Sequence, residues 1–111
     1  MAYKVPDTVK KIASRALEYN NSLPISQRAS YKIVDDTRVP GTGIRTARRL
    51  IKGYVTIEQI NLMVAWFARH GEADKESKAR QNRTSKAAIA WALWGGNPGR
   101  RWAKSIQKQN Q

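Results

Sequence analysis

The sequence predicts an all-α fold, a compact bundle of about five short helices. Apolar residues recur at three- and four-residue spacing in several segments, and Gly, Pro and Asn residues separate those segments. No segment shows a strand pattern of comparable strength. The chain has 111 residues, 41% of them hydrophobic, and its four Trp supply much of the apolar surface for a modest core. We therefore expect a single helical domain over residues 1–111.

The first helix is expected to run to about Tyr19. Pro6 and Asp7 are typical of a helix start, and the Asn-Asn pair that follows Tyr19 is typical of a helix end. The next stretch is the least regular part of the chain, and we predict a short helix over residues 27–34.

The adjacent carboxylates Asp35 and Asp36 raise the question of a metal site. Neighbours in sequence rarely face one cation without further ligands, so we assign both residues to a loop or a cap.

The next two helices carry clearer end signals. Thr42 is predicted to cap a helix that Gly53 ends in the left-handed conformation. Thr56 and Gln59 have the spacing of a capping box, which opens a helix ending near His70. Two helices joined by a short link favour a helix-turn-helix-like pair, in which the second helix reads the major groove. Here the arginines lie on the first helix, which favours phosphate contact over base readout.

Two further helices are predicted near the C-terminal end. Residues 72–84 are almost all polar or charged, which indicates a flexible connection or an exposed helix extension, and we expect mobility. A cap at Thr84 or Ser85 then opens a helix that is apolar almost all round and should be buried on most sides. Asn97 is predicted to cap the last helix, and the tail beyond Lys108 is expected to fray.

Charge is the clearest compositional feature of the chain. It has 21 Lys+Arg against 8 Asp+Glu, a formal net charge of +13, and a pI near 10.7. The last acidic residue is Glu76, so every charged residue after it is basic. A charge of this size attracts phosphate backbones at long range, which predicts a polyanionic partner.

The basic residues form two strips at helical spacing. Arg45, Arg48 and Arg49, continued by Lys52, recur at three- and four-residue steps on one predicted helix, and a second strip starts at Arg100 on the last helix. If the two share one face, about six to eight phosphates could be engaged. The sequence leaves open whether they do. The candidate nucleic-acid-binding residues are Arg38, Arg45, Arg48, Arg49, Lys52, Arg83, Lys86, Arg100, Arg101, Lys104 and Lys108.

Catalytic and metal chemistry have few candidate residues. The chain has no Cys, which excludes disulfides, zinc-thiolate sites and thiol nucleophiles, and only one His. That residue, His70, is predicted at a helix end, where interaction with the helix dipole is commoner than a ligand role. We predict no enzyme activity, no metal and no cofactor. No stretch approaches the ~18 apolar residues of a membrane span, so the expected location is cytoplasmic.

The tryptophans allow two interpretations. Trp66, Trp91, Trp94 and Trp102 could be platforms on which the bases of a single strand stack. Each falls on or near an apolar helix face, however, so a core role is favoured, with Trp94 and the turn residue Tyr54 the best candidates for exposure.

Part of the sequence resembles small helical domains encoded by bacteriophages. The match covers about two thirds of the chain, and its most specific part is an Ile-Ala-Trp-Ala-Leu-Trp-Gly-Gly-Asn block. The matching residues are Gly43-Ile44, Ala47-Arg48 and Leu50, then Met63 to Phe67, Arg69-His70 and Asp74-Lys75, and then Ile89 to Asn97, Gly99, Trp102 and Ala103. The resemblance implies a phage origin and no defined activity. Three residues depart from the pattern: Arg45 and Arg49 replace a small and an acidic residue, and Asn97 replaces Asp.

These observations predict a basic phage protein that binds nucleic acid through the phosphate backbone with limited sequence preference. DNA is favoured over RNA, and the sequence does not choose between single and double strands. The alternative is a protein-interaction module that acts in phage assembly or binds an acidic host protein. With either function, a phage protein is expected in the host cytoplasm or in the virion.

Overall fold

The computed structural model describes residues 2–71, 78–82 and 84–111. The described part is mostly helical, and it also contains two small antiparallel sheets, so the all-α prediction is correct only in part. The elements in order are β1 (Ala2–Lys4), α1 (Asp7–Ser22), a 3-10 turn (Ile25–Gln27), β2 (Tyr31–Val34), β3 (Thr37–Pro40), α2 (Thr42–Lys52), β4 (Tyr54–Thr56), α3 (Ile57–Gly71), α4 (Lys86–Leu93) and α5 (Gly96–Gln109).

Helix α1 lies at the centre of the packing and contacts α2, α4 and α5. It begins where predicted but continues to Ser22, past the Asn pair expected to end it. The reason is that Asn20 is fully buried and its side chain binds the chain beyond the helix. Its Nδ2 donates to the Ala29 carbonyl (3.0 Å), and its Oδ1 accepts from the Ala29 N–H (2.8 Å). Asn usually favours the end of a helix, but at this position its side chain attaches the following loop to α1.

The core forms where α3 packs against α5 and where α1 meets α2 and α4. Ile60, Met63 and Phe67 of α3 are buried, as their spacing predicts. Trp66 and Trp94 are buried too, which confirms the core role for these two and excludes the exposure considered for Trp94. Trp91 and Trp102 are partly buried against the same core.

The short helix predicted over 27–34 is absent: Gln27 ends the 3-10 turn, residues 28–30 form a loop, and Tyr31–Val34 is the first strand of an exposed β-hairpin. Strands β2 and β3 pair in antiparallel register, with Tyr31 opposite Pro40 and Val34 opposite Thr37. Asp35 and Asp36 form the two-residue turn between them, with φ of 49° and 61°, a conformation that Asp tolerates. The loop assignment of both carboxylates is therefore confirmed. The hairpin buries neither face, so its sequence lacks the alternation that marks a half-buried strand.

The link between α2 and α3 is also a strand. β4 pairs with the N-terminal strand β1, with Tyr3 opposite Val55. The helix-turn-helix-like pair thus has a β-strand in place of its turn. Its two helices find their main contacts elsewhere, α2 on α1 and α3 on α5.

The predicted helix ends have mixed outcomes. Gly53 ends α2 with φ of 102°, and Thr56 and Gln59 form the predicted capping box (2.9 and 3.3 Å). Thr42 was the wrong cap for α2, because it lies inside the helix and Gly41 precedes it. The Oγ of Ser30, at the start of the hairpin, accepts from the Ile44 N–H instead (3.2 Å).

The last two helices differ in how they begin. Ser85 caps α4 by accepting from the Ala88 N–H (3.1 Å), one of the two predicted caps. Asn97 does not cap α5, which begins at Gly96; its Oδ1 accepts from the indole Nε1 of Trp91 (3.0 Å). Helix α4 buries Ile89 and Leu93 fully and its alanines partly.

The predicted connection is described only in part, and the C-terminal tail is described to its last residue. Residues 72–77 and Arg83 lie outside the described residues, whereas residues 78–80 form a helical turn. Helix α5 continues to Gln109, and the side chain of Asn110 accepts from the Tyr3 hydroxyl (2.8 Å). No helix within the described ranges is both long and apolar enough to cross a membrane.

Candidate nucleic-acid interface

Helix α2 separates its apolar and basic side chains sharply. Its buried side is formed mainly by Ile44, Ala47 and Leu50. All four basic residues predicted for this helix are exposed. They are Arg45, Arg48, Arg49 and Lys52. The first strip therefore exists as a continuous solvent-facing surface.

A groove lies between α2 and α3, with a volume of about 440 Å³. Arg45 and Arg49 line it from α2, Arg69 lines it from α3, and Trp66 and Trp94 also line it. Arg69 was not among the predicted site residues. Arg69 follows the groove-lining residues Ala65 and Trp66 by four and three positions, a spacing that places all three on one side of α3. Nothing in the sequence, however, showed that this side of α3 faces α2.

A cleft adjoins the groove and shares Thr42, Trp66 and Trp94 with it. Its volume is about 390 Å³. The cleft lies between the hairpin, the C-terminal end of α3 and the first turns of α4. Its basic lining residues are Arg28, His70, Arg80 and Lys86. Of these, only Lys86 was predicted.

The two arginines that line the cleft are held by local contacts. Arg28 donates from Nε to the Leu23 carbonyl (2.8 Å) and from Nη2 to the Asn21 carbonyl (2.9 Å). The guanidinium carbon of Arg80 lies 4.0 Å from the ring centre of Trp91, and its Nη1 donates to the His70 carbonyl (3.0 Å). Both cations are therefore fixed in place before any ligand arrives.

Two shallow depressions continue from the cleft to the last helix. The first is lined by Arg80, Trp91 and Asn97, among others, and so shares two residues with the cleft. The second is lined by Asn97, Arg100, Arg101 and Lys104, where the second predicted strip begins. Arg100 also lies over Trp91, with its guanidinium carbon 5.8 Å from the ring centre.

The groove, the cleft and the two depressions thus form an unbroken series that joins the two predicted strips. We call their basic side chains the basic band. No Asp or Glu of the described residues lines any of the four. The band comprises Arg28, Arg45, Arg49, Arg69, His70, Arg80, Lys86, Arg100, Arg101 and Lys104.

Several basic side chains of the band have no acidic neighbour among the described residues. In the described part of the chain, no carboxylate lies within 4.0 Å of the charged nitrogens of Arg45, Arg49 or Lys104. Ordinary solvated helix faces intersperse acids with bases, and a surface lined by bases alone, as the described residues are here, attracts anions more strongly.

The remaining predicted site residues lie outside the band. Arg38 is exposed on the hairpin, Arg48 and Lys52 are exposed on α2, and Lys108 is exposed in the last turn of α5. None of these four lines the groove, the cleft or the depressions. Arg83 is not among the described residues.

Metal-ligating side chains are not grouped in the described part of the chain. Among residues 2–71, 78–82 and 84–111, no group of three or more His, Asp or Glu side chains could hold a metal ion. The His70 ring packs on Trp66, with the ring centres 4.4 Å apart.

Comparison with known proteins identifies no relative: no protein-family model, curated protein or solved structure matches the chain. The resemblance to phage-encoded domains therefore stays a prediction. What the structure defines is a small, mostly helical fold that carries a long basic surface with tryptophans between its cations.

Proposed function

We propose that this protein binds nucleic acid, DNA in the first place, by contacting backbone phosphates along the basic band with limited sequence preference. The observation that supports this most is the continuity of the band, because the strips on α2 and α5 are joined by further cations and by no described carboxylate. A binding role, in place of catalysis, is part of the proposal.

The physical basis is counterion release. Each phosphate that a Lys or Arg neutralises frees condensed cations, so the logarithm of affinity falls linearly with the logarithm of salt concentration, with a slope of about −0.9 per phosphate on duplex DNA. Arginine suits this role because its planar guanidinium can contact two phosphate oxygens at once. Seven of the ten members of the band are arginines, as arginines 28, 45, 49, 69, 80, 100 and 101 show in the sequence.

Base readout has weaker support than phosphate contact. Gln59, near the start of α3, is held in the capping box with Thr56, and the exposed Leu62 that follows can make no base-edge hydrogen bond. We therefore expect different duplex sequences to bind with similar affinity.

The test is a salt titration of binding to a labelled duplex of arbitrary sequence, followed by gel shift or fluorescence anisotropy. We expect binding at ~50 mM salt and a loss of orders of magnitude in affinity by ~200 mM. The proposal is wrong if the affinity does not change with salt concentration or if no binding is measured at the lowest salt concentration.

A protein partner is the second candidate. Leu62 is 58% exposed beside Arg49 and Arg69 in the groove, an apolar and basic combination that would suit an acidic amphipathic helix. A pull-down from nuclease-treated bacterial lysate separates the candidates. One stoichiometric protein that is retained by the natural chain and lost from Leu62→Ser would favour this role, and loss of all partners on nuclease treatment would favour nucleic acid.

Only the resemblance to phage-encoded domains supports a biological setting. From it we propose a phage origin, with action in the host cytoplasm or in the virion.

A further inference from the structure

The first turn of α2 opens into the cleft. Thr42 and Gly43 both line it, and this turn contains no acidic residue. The neighbouring N–H groups are occupied, because Gly41 donates to the Ser30 carbonyl and Ile44 donates to the Ser30 Oγ. The N–H groups of Thr42 and Gly43 have no acceptor among the described residues. They carry the positive end of the helix dipole into the cleft.

A second donor lies beside this turn. Trp94 is only 6% exposed, and its indole Nε1 lies 3.4 Å from the position that a Cβ of Gly43 would occupy. No described residue accepts a hydrogen bond from this nitrogen. Every fully buried side-chain nitrogen or oxygen of the described residues has a hydrogen-bond partner. The Trp94 nitrogen has none among those residues, so it must be accessible from the cleft. An indole N–H only donates, so this buried side chain points to an acceptor that enters the cleft from outside.

Three cations line the same cleft as these donors. Lys86 is exposed at the first position of α4. Arg80 donates from Nη1 to the His70 carbonyl and stacks on Trp91, and its other N–H groups have no acceptor in the described part of the chain. Arg28 is anchored to two backbone carbonyls at the cleft wall. Together with the N–H donors, they make a site for an anion with several oxygen atoms.

We propose that the cleft binds the terminal phosphate of a nucleic-acid strand. The inference rests on the proposed function and specifies which group of the nucleic acid binds and where it binds. An internal phosphate is a diester with a single charge, whereas a terminal phosphate monoester carries about −1.5 to −2 at pH 7, which matches a cluster of cations better. A cleft of about 390 Å³ walled by Trp66 and Trp91 admits a strand end more readily than the side of a duplex. The groove and the depressions on either side would then hold the backbone that follows.

The experiment compares single-stranded oligonucleotides that differ only at one end. The strand carries a 5′-phosphate, a 3′-phosphate or no terminal phosphate, with the fluorescent label at the opposite end. A strand without terminal phosphate but two nucleotides longer matches the added charge. We expect one phosphorylated form to bind at least about tenfold more tightly than both unphosphorylated strands.

Inorganic phosphate identifies the source of the ligand. We expect it to compete with the terminal group only at far higher concentration than the phosphorylated strand. If inorganic phosphate alone binds as tightly as that strand, the cleft is a free-anion site and the proposal is overturned. Equal binding of all strands overturns it while leaving the proposed function standing. If no strand or duplex binds at low salt, both fail.

Substitutions in the cleft test whether the preference for a phosphorylated end arises there. Trp94→Phe keeps an aromatic ring in the core and removes the N–H, and Lys86→Gln removes a charge at an exposed position. We expect each to reduce the preference for the phosphorylated end by at least about threefold, with affinity for the unphosphorylated strand changed less. The matched controls are Trp102→Phe and Lys11→Gln, which lie outside the cleft lining and should keep the full preference. If Trp94→Phe does not fold, Lys86→Gln decides. A full preference in the folded cleft variants refutes this site.

Discussion

The indole rings of Trp66 and Trp94 stack almost in parallel, with centres 4.8 Å apart and planes 10° apart. Both residues line the groove and also the cleft. The stacked pair is therefore shared by the two adjoining cavities of the basic band. Its position couples the core, which it helps to fill, to the surface on which we place nucleic acid.

The contribution of α2 to binding can be measured with a double substitution. We expect Arg45→Gln/Arg49→Gln to lower affinity for duplex DNA and to make the slope of log affinity against log salt less steep by about 2, one unit for each lost phosphate contact. The control is Lys11→Gln/Arg15→Gln on the exposed side of α1, which removes the same charge outside the band. Equal effects of the two pairs would show that net charge, and not the band, determines binding.

The buried amide of Asn20 should be important for stability. Asn20→Ala leaves the N–H and the carbonyl of Ala29 without their partners, and we expect a loss of about 2–4 kcal/mol in the free energy of unfolding. Urea denaturation measures it. Asn21→Ala, at an exposed neighbour whose side chain makes no described contact, should change stability by less than about 0.5 kcal/mol. A similar cost at both positions would contradict the assigned role.

Two threonines at helix starts provide a matched pair. Thr56 accepts from the Gln59 N–H in its capping box, so Thr56→Ala should cost about 1 kcal/mol of unfolding free energy. Thr42 lies inside α2 and caps nothing, so Thr42→Ala should cost at most about 0.5 kcal/mol. Thermal or urea denaturation of both variants decides, and the reverse order would show that α2 is capped differently in solution.

The contact between Gly43 and Ser30 leaves no space for a side chain. A Cβ at Gly43 would meet the Ser30 Oγ at 2.6 Å and its Cβ at 3.1 Å, so Gly43→Ala should destabilise the fold by about 1–3 kcal/mol. In the Ser30→Gly background those two atoms are gone, and the same substitution should cost less than about 1 kcal/mol. An unchanged cost would mean that the strain has another source.

The helices were predictable because their signals are local. The capping box at Thr56, the cap at Ser85 and the left-handed Gly53 each involve residues within a few positions of one another, and the amphipathic spacing of α2 and α3 is visible in the sequence. The cap of α2 was not predictable, since it comes from Ser30, fourteen residues before the N–H that it accepts. The hairpin was missed because Ile33 is 67% exposed, so burial imposes no alternation on its strand.

The candidate site divides in the same way. The strips on α2 and α5 were found from spacing, but the cations that join them were not. Arg28 lies in the loop before the hairpin and Arg80 in the short helical turn over residues 78–80, and nothing in the sequence shows that both side chains line one cleft. Arg28 is held by the nearby carbonyls of Leu23 and Asn21, and a bond to a backbone carbonyl leaves no side-chain pattern in the sequence. Arg80 depends on Trp91 and on the His70 carbonyl, which the tertiary fold brings to it.

Like charges held close together in the native state also bear on heat resistance. The band confines its cations to one compact surface, whereas an unfolded chain would spread them apart, so mutual repulsion favours unfolding. A ligand that binds only the folded form shifts that equilibrium by mass action. Heparin or duplex DNA should therefore raise the melting temperature at low ionic strength.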